Sequence, residues 1–358
     1  MAATIQELFG SRELTATAKT FASDQNDHLV TDVFKGGDRQ SVDDPRHVEW
    51  QETRFDRNTA PMVGLAAPSV KSEQFSRIDH QSACITIKEH VFLEAEKLFH
   101  DSAPGQIGSN PRANAAATIG VHLEKLVKRI GRTVEKACVD LAQGSLAVSA
   151  ATFPGSTTKF TLTLPVTTGQ YANSWATAGT KIVTAEIKRM VDAYRAAVNM
   201  APGRVLLNSA IEAYLLANTE FQDVCKANPL WAAALLRSNN SAIDVVNGVG
   251  LGSLDWKKHL GSYSAAGAFT EFMPAKKMIV LPPPSMDKDF IGFAEASAIV
   301  PRTLWGNAAQ VGIEKLPPGI AAYTEVSGDP VGIKLIVIYH FLPYLLFPEA
   351  AMLWTVAP

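Results

Sequence analysis

Cysteine is scarce in this chain: Cys84, Cys138 and Cys225 stand 54 and 87 residues apart. No pair has the spacing of a zinc or redox motif, and an odd count builds no disulfide framework, so a reducing compartment is the expectation. The eight histidines are scattered, with no H-x-x-x-H pair and none beside a cysteine cluster, so no metal site is expected. A P-loop and a G-x-S-x-G nucleophile elbow are missing, and no catalytic residue is nominated. Excess charge of one sign is missing too: 33 basic against 35 acidic residues leave a net charge of −2, which argues against a dedicated nucleic-acid binder. The most apolar stretch, 335–354, is interrupted by His340, Pro343, Pro348 and Glu349, and reads as buried strands rather than a membrane helix. Residues 1–10 have no basic region followed by an apolar stretch, so no signal peptide is expected.

What is present begins with size. A chain of 358 residues, 47% of them hydrophobic, has material for about two domains with a core. Residues 1–60 carry 11 acidic and 7 basic side chains, a denser charge than the rest. The polar segment 24–45 cannot offset its ordering entropy alone. It reads either as a disordered tail or as an arm that orders against a neighbour.

Two strands are expected next, over 47–55 with Val48 and Trp50 on one face, and over 83–88 with Ile85 and Ile87 on one face. The polar tip between them holds Lys71, and the whole reads as a projecting hairpin without a core of its own. A short helix is expected over 91–100. Asn110 and Pro111 then open a long one, about 112–143. Ile119, Leu123, Leu126, Val127, Ile130, Val134, Cys138 and Leu141 form its apolar stripe. Its remaining surface is basic, with Lys125, Lys128, Arg129, Arg132 and Lys136 against Glu124 and Glu135. That surface is either an ordinary solvated face or one that meets something anionic. Further on come strand-like 146–166, a helix over 184–198, a strand over 204–207 and a helix over 210–217. A long hairpin is expected from 313–326 and 331–340, then a last strand over 344–356. Gly248, Gly250 and Gly252 come after a strand-like run, but their spacing departs from the dinucleotide fingerprint. No cofactor is therefore expected, and a nicotinamide enzyme using the 248–252 loop is kept only as a minor alternative.

This order of elements resembles the major capsid proteins of tailed bacteriophages, in the branch similar to the lambda capsid protein. Their fold is the Hong Kong ninety-seven type. The extended loop resembles 47–88, with Arg57-Asn58-Thr59-Ala60-Pro61-Met62-Val63 leading to Ile85-Thr86-Ile87-Lys88. The spine helix resembles 112–143, the axial-domain entry 182–220, and the returning hairpin and last strand 311–354. The resemblance implies an α+β fold with an N-terminal arm (1–45), an extended loop (46–90), a peripheral domain (91–170 and 311–340) and an axial domain (171–310 and 341–358).

The implied function is structural rather than enzymatic: many copies of the chain assemble as pentamers and hexamers of an icosahedral head around double-stranded DNA. An encapsulin-like protein compartment is the alternative within the same fold. The implied partners are other copies, a decoration protein, a scaffolding protein, a portal and non-specifically held DNA, with no membrane. The implied place is the virion, after assembly in the bacterial host cytoplasm. Trp50, Arg54, Arg57, Met62, Lys71, Ile85 and Ile87 are the candidate inter-subunit residues. Lys125, Lys128, Arg129 and Arg132 are the candidate DNA-facing ones. Some relatives join a loop lysine covalently to a peripheral asparagine. Here the last asparagine is Asn307 and 311–340 has none, so no self-crosslinking is expected. Only about 45 residues precede the loop, so little or no N-terminal cleavage is expected.

Overall fold

A computed structural model describes residues 10–23, 28–53, 77–94, 111–153, 159–227, 247, 253–265, 268–303, 311–328 and 330–358. Its axis is a 32-residue helix. Before it come helices α1 (Ser11–Ser23) and α2 (Leu29–Gly36), strands β1 (Asp38–Val42) and β2 (Val48–Thr53), β3 (Arg77–Ser82) and β4 (Ile85–Glu94). The long helix, α3, is Pro111–Ala142, roughly 48 Å at 1.5 Å per residue. Its apolar stripe from Ile119 to Leu141 is buried throughout. It ends because Gly144 takes φ +96°, a left-handed value, while its N–H bonds Leu141 O at 2.8 Å.

The first sheet is built on one long strand. β13 (Ile291–Ala296), β16 (Ala321–Gly328) and β17 (Val331–Leu345) join β1 and β4 in it. β4 runs antiparallel along one edge of β17, from Ile85 opposite Phe341 to Glu94 opposite Gly332. The other edge of β17 takes β16 over its first half and β13 over its second, and β1 lies parallel to β13. A ribbon of β14 (Ala298–Thr303) and β15 (Val311–Leu316) covers this hairpin, burying Ala298, Val300 and Leu316 on Tyr323, Ile336 and Ile338.

The second sheet has the order β7-β18-β12-β8-β9, from β7 (Thr167–Gln170), β8 (Arg204–Leu207), β9 (Asp255–Lys258), β12 (Lys277–Leu281) and β18 (Met352–Thr355). Its inner strands are buried on both faces. Helices α4 (Ile187–Val198), α5 (Ser209–Ala217) and α6 (Thr219–Ala227) belong to this region, with a π turn at Ile182–Glu186 leading into α4. Hairpins β5 (Ser145–Val148) with β6 (Phe160–Thr163), and β10 (Ser262–Ala265) with β11 (Ala268–Glu271), complete the strands. Helix α7 (Asp287–Phe290) leads into β13. The chain passes from β17 to β18 through a short turn at Pro348–Ala350, so its last residues join the two sheets over one continuous core.

Several local expectations change. The strand after the hairpin tip is not its second half: β2 pairs with β3, and β4 belongs to the body sheet. β4 also takes residues 91–94, where a helix was expected, because Val91 and Leu93 pack inward along β17. The strand facing β17 is only Ala321–Gly328. Pro317 and Pro318 can give no ladder hydrogen bond and Gly319 sits at φ +110°, so the expected 313–326 strand divides, and its first part pairs with β14. The expected last strand divides likewise at Pro348. Residues 11–42 are ordered within this chain where they are described, with Leu14, Ala18, Val30, Val33 and Phe34 in the core.

Candidate assembly surfaces

The root of the β2–β3 hairpin is fixed by aromatic stacking. Trp50 lies between the His80 ring, at 5.2 Å between centroids, and the Tyr344 ring, at 5.4 Å. His80 Nε2 meets the buried Glu52 carboxylate at 2.7 Å. The Tyr344 hydroxyl donates to Asp38 Oδ2 at 2.8 Å, and the Thr53 N–H donates to Leu346 O at 2.8 Å. Glycine is required at 292, where a Cβ would lie 2.1 Å from the Tyr344 ring. Trp50 is thus buried in its own chain, where it anchors the hairpin root. Ile85 and Ile87 are half-buried against the core. Arg54, Arg57, Met62 and Lys71, with the loop tip, lie outside the described residues, as does Asn307.

The basic face of α3 is exposed at Lys125, Lys128, Arg129 and Arg132. Lys128 pairs with Glu124 at 2.5 Å and Arg129 with Glu89 of β4 at 2.6 Å. Such exposed pairs contribute about 0–1 kcal/mol to stability, and each offsets one positive charge of the face. Lys136 is different: it pairs with Asp140 at 2.6 Å and sits 4.4 Å from the Phe153 ring centroid.

Two buried ionic joints were not nominated from the sequence. Arg204 of β8 forms a two-pronged pair with Asp287 of α7 and donates Nε to Pro282 O at 3.2 Å. Burial pushes the Asp287 carboxyl up, and the Arg204 hydrogen bond and charge pull against it. Glu135 of α3 is wholly buried between α2 and His259. Its sequence position suggests the helix surface, three residues before Cys138 and eight after Val127. That position borders the apolar stripe and was the one available signal.

Reactive chemistry has little support. Burial pushes the Cys84 thiol up to about 12 and raises Cys138 and Cys225, which keeps them protonated and poor nucleophiles. Among the described residues no group of three or more His, Cys, Asp or Glu could hold a metal ion. The 248–252 loop is outside the described residues. The first strand described after it is β9, whereas a dinucleotide turn opens a helix whose N-terminus meets the pyrophosphate. No described helix is long and apolar enough to cross a membrane.

Comparison with known proteins agrees with this geometry. No curated protein matches the sequence. A putative capsid protein of a prophage of E. coli CFT073 superposes with a TM-score of 0.60 at 12% identity, over 98% of this chain and 99% of that one. A phage-related protein of Bordetella bronchiseptica RB50 gives 0.53 at 10% identity, over 97% of each chain. A chain from Gordonia phage Cozz gives 0.50 at 11% identity, over 92% of this chain and 87% of that one. At these identities the likeness speaks for the fold, the Hong Kong ninety-seven type. The family model described as phage major capsid protein E matches residues 12–356. With nearly the whole chain matched, this protein belongs to the phage major capsid protein E family.

Proposed function

We propose that the chain is the shell subunit of a tailed-phage head, in which copies group as pentamers and hexamers of an icosahedral shell around double-stranded DNA. The family match over 12–356 carries this reading. The role is structural, without turnover. In the proposed arrangement 171–310 and 341–358, with most of the second sheet, lie toward the capsomer centre as the axial domain. Residues 91–170 and 311–340, with α3 and the β16–β17 hairpin, form the peripheral domain. The hairpin beyond Thr53 and Arg77 reaches over a neighbour, with Arg54, Arg57, Met62 and Lys71 on the reaching part and Ile85 and Ile87 beside its root. Many modest contacts per subunit then act together.

Lys125, Lys128, Arg129 and Arg132 are proposed to face packaged DNA through non-specific phosphate contact. A separate scaffolding protein, a portal and a decoration protein are the proposed partners, the last as the clamp a shell without self-crosslinks needs. Assembly takes place in the host cytoplasm and the product is the virion capsid.

The test is negative-stain electron microscopy with sedimentation velocity, on the chain made with and without its neighbouring genes. Closed shells, pentamers or hexamers are expected. A monomer or dimer in both preparations contradicts the reading. An encapsulin-like compartment would hold protein cargo in place of nucleic acid, so the contents of purified particles separate the two.

A further inference from the structure

Glu135 projects from the C-terminal part of α3 and has no exposed surface. Four donors converge on its carboxylate: the Val30 N–H at 2.9 Å, the Thr31 N–H at 2.8 Å, the Thr31 hydroxyl at 2.6 Å and His259 Nε2 at 2.6 Å. The two backbone groups belong to the first turn of α2, which has no partners for them within the helix. A cap residue normally supplies that acceptor, but His28 at the cap position makes no side-chain cap bond. Glu135 therefore caps α2 from another helix, with its charge at the positive end of the α2 dipole. His259 Nδ1 accepts the Gly261 N–H at 3.0 Å, which leaves the proton on Nε2, pointing at Glu135. Burial alone would push the Glu135 carboxyl up; the bonds from His259, Thr31 and Val30 outweigh it and hold it below the usual carboxylate range.

The contacts around this joint are uneven. A cleft of about 570 Å³ lies between the two N-terminal helices and α3, with Lys19, Asp32, Val127, Ile130 and Val134 in its lining. The apolar seal under the arm is therefore incomplete. Where the arm enters β1, a Cβ on Gly37 would meet Ile291 O at 2.1 Å, so that end is fixed against the sheet.

We propose that Glu135 is a clasp: one buried carboxylate holds α2 on α3, ties it to the His259 loop of the second region, and sets the free energy at which α2 opens about Gly36 and Gly37, while α1 keeps its own bonds to Glu314 and Ala322. This device resides in the single chain and does not depend on shell assembly.

Hydrogen exchange with mass readout on the purified full chain tests it, using Glu135→Gln and Thr31→Val. All four partners donate, so the amide NH2 of Gln must face a donor. In Glu135→Gln, exchange in segment 28–36 is expected to rise roughly ten- to hundredfold, while β8, β12 and β18 keep their protection. Thr31→Val keeps both backbone donors and should give a smaller rise in the same segment. Unchanged exchange there in Glu135→Gln, or an equal rise in both sheets, overturns the clasp. If Glu135→Gln does not fold, Thr31→Val decides: a rise confined to 28–36 supports the clasp, and no rise or a uniform one overturns it.

Discussion

The two sheets of this subunit differ at their edges rather than at their centres. In the second, Val205, Leu206 and Leu207 of β8 and Met278 to Leu281 of β12 are buried on both faces, with Trp256 and Trp354 filling the spaces beside them. In the first sheet β13 and β17 are buried as fully, but the edge strand β4 and the separate β2–β3 ribbon alternate between inward and outward residues, and single polar groups key the docked segments. Asp38 holds Tyr344, Glu135 holds α2, and Arg204 bonded to Asp287 joins the two regions. Apolar packing is non-directional and fails gradually with lost area, whereas a buried polar key has one geometry and opens as a unit.

The largest expected effects break the contrast outright. Trp354→Ala removes a ring that packs on Gly169, where a Cβ would lie 2.3 Å from it, and should lower stability by about 3–5 kcal/mol in denaturant unfolding. Asp287→Ala strands the Arg204 charge in the interior, at a similar cost of about 3–5 kcal/mol. If the contrast holds, Trp354→Ala unfolds the second sheet with the whole chain, while Asp287→Ala also loosens the junction between the sheets. Tyr344→Phe is smaller: it deletes one hydrogen bond to Asp38 and keeps the stack on Trp50, for about 1 kcal/mol, with hairpin-root exchange rising first.

These effects also separate what the residues announce from what only the fold reveals. The long helix was legible because its stripe repeats at helical spacing, and it runs Pro111–Ala142 against the expected 112–143. β8 was legible as a short continuous apolar run. β4 was legible only as a strand over 83–88; its extension to Glu94 and its partner β17, some 250 residues away, are named by no local pattern. The same holds for Glu135, which looks like a helix-surface charge until α2 and His259 close over it. The basic face of α3 was legible as a pattern, but its partial neutralisation by Glu89 depended on the unforeseen extension and pairing of that strand.

Two finer predictions sharpen the contrast. Burial lowers the pKa of His340 in β17, where its Nδ1 meets the Thr86 hydroxyl at 2.8 Å. The fold thus favours the neutral ring. Its contribution is complete above the ordinary histidine value of 6.5 and is lost as the pH falls toward the lower folded value. Stability of the first sheet should decline below pH 6.5, and His340→Gln should flatten that decline. The smallest effect on folding belongs to Lys125→Glu with Lys128→Glu. Both side chains are on the outer face of α3, so stability should stay within about 0.5 kcal/mol. Packaged DNA retained by assembled particles should nonetheless fall if this face lines the interior.

The most direct measurement is a cryo-electron reconstruction of assembled particles at a resolution that traces the chain. The account predicts symmetric capsomers with β8, β12 and β18 nearest the five- and six-fold axes, and with α3 and the β16–β17 hairpin away from them. It further predicts that the hairpin beyond Thr53 lies on a neighbouring copy. A shell with the first sheet at the axes and the second at the periphery, or with the hairpin folded back on its own subunit, would contradict it.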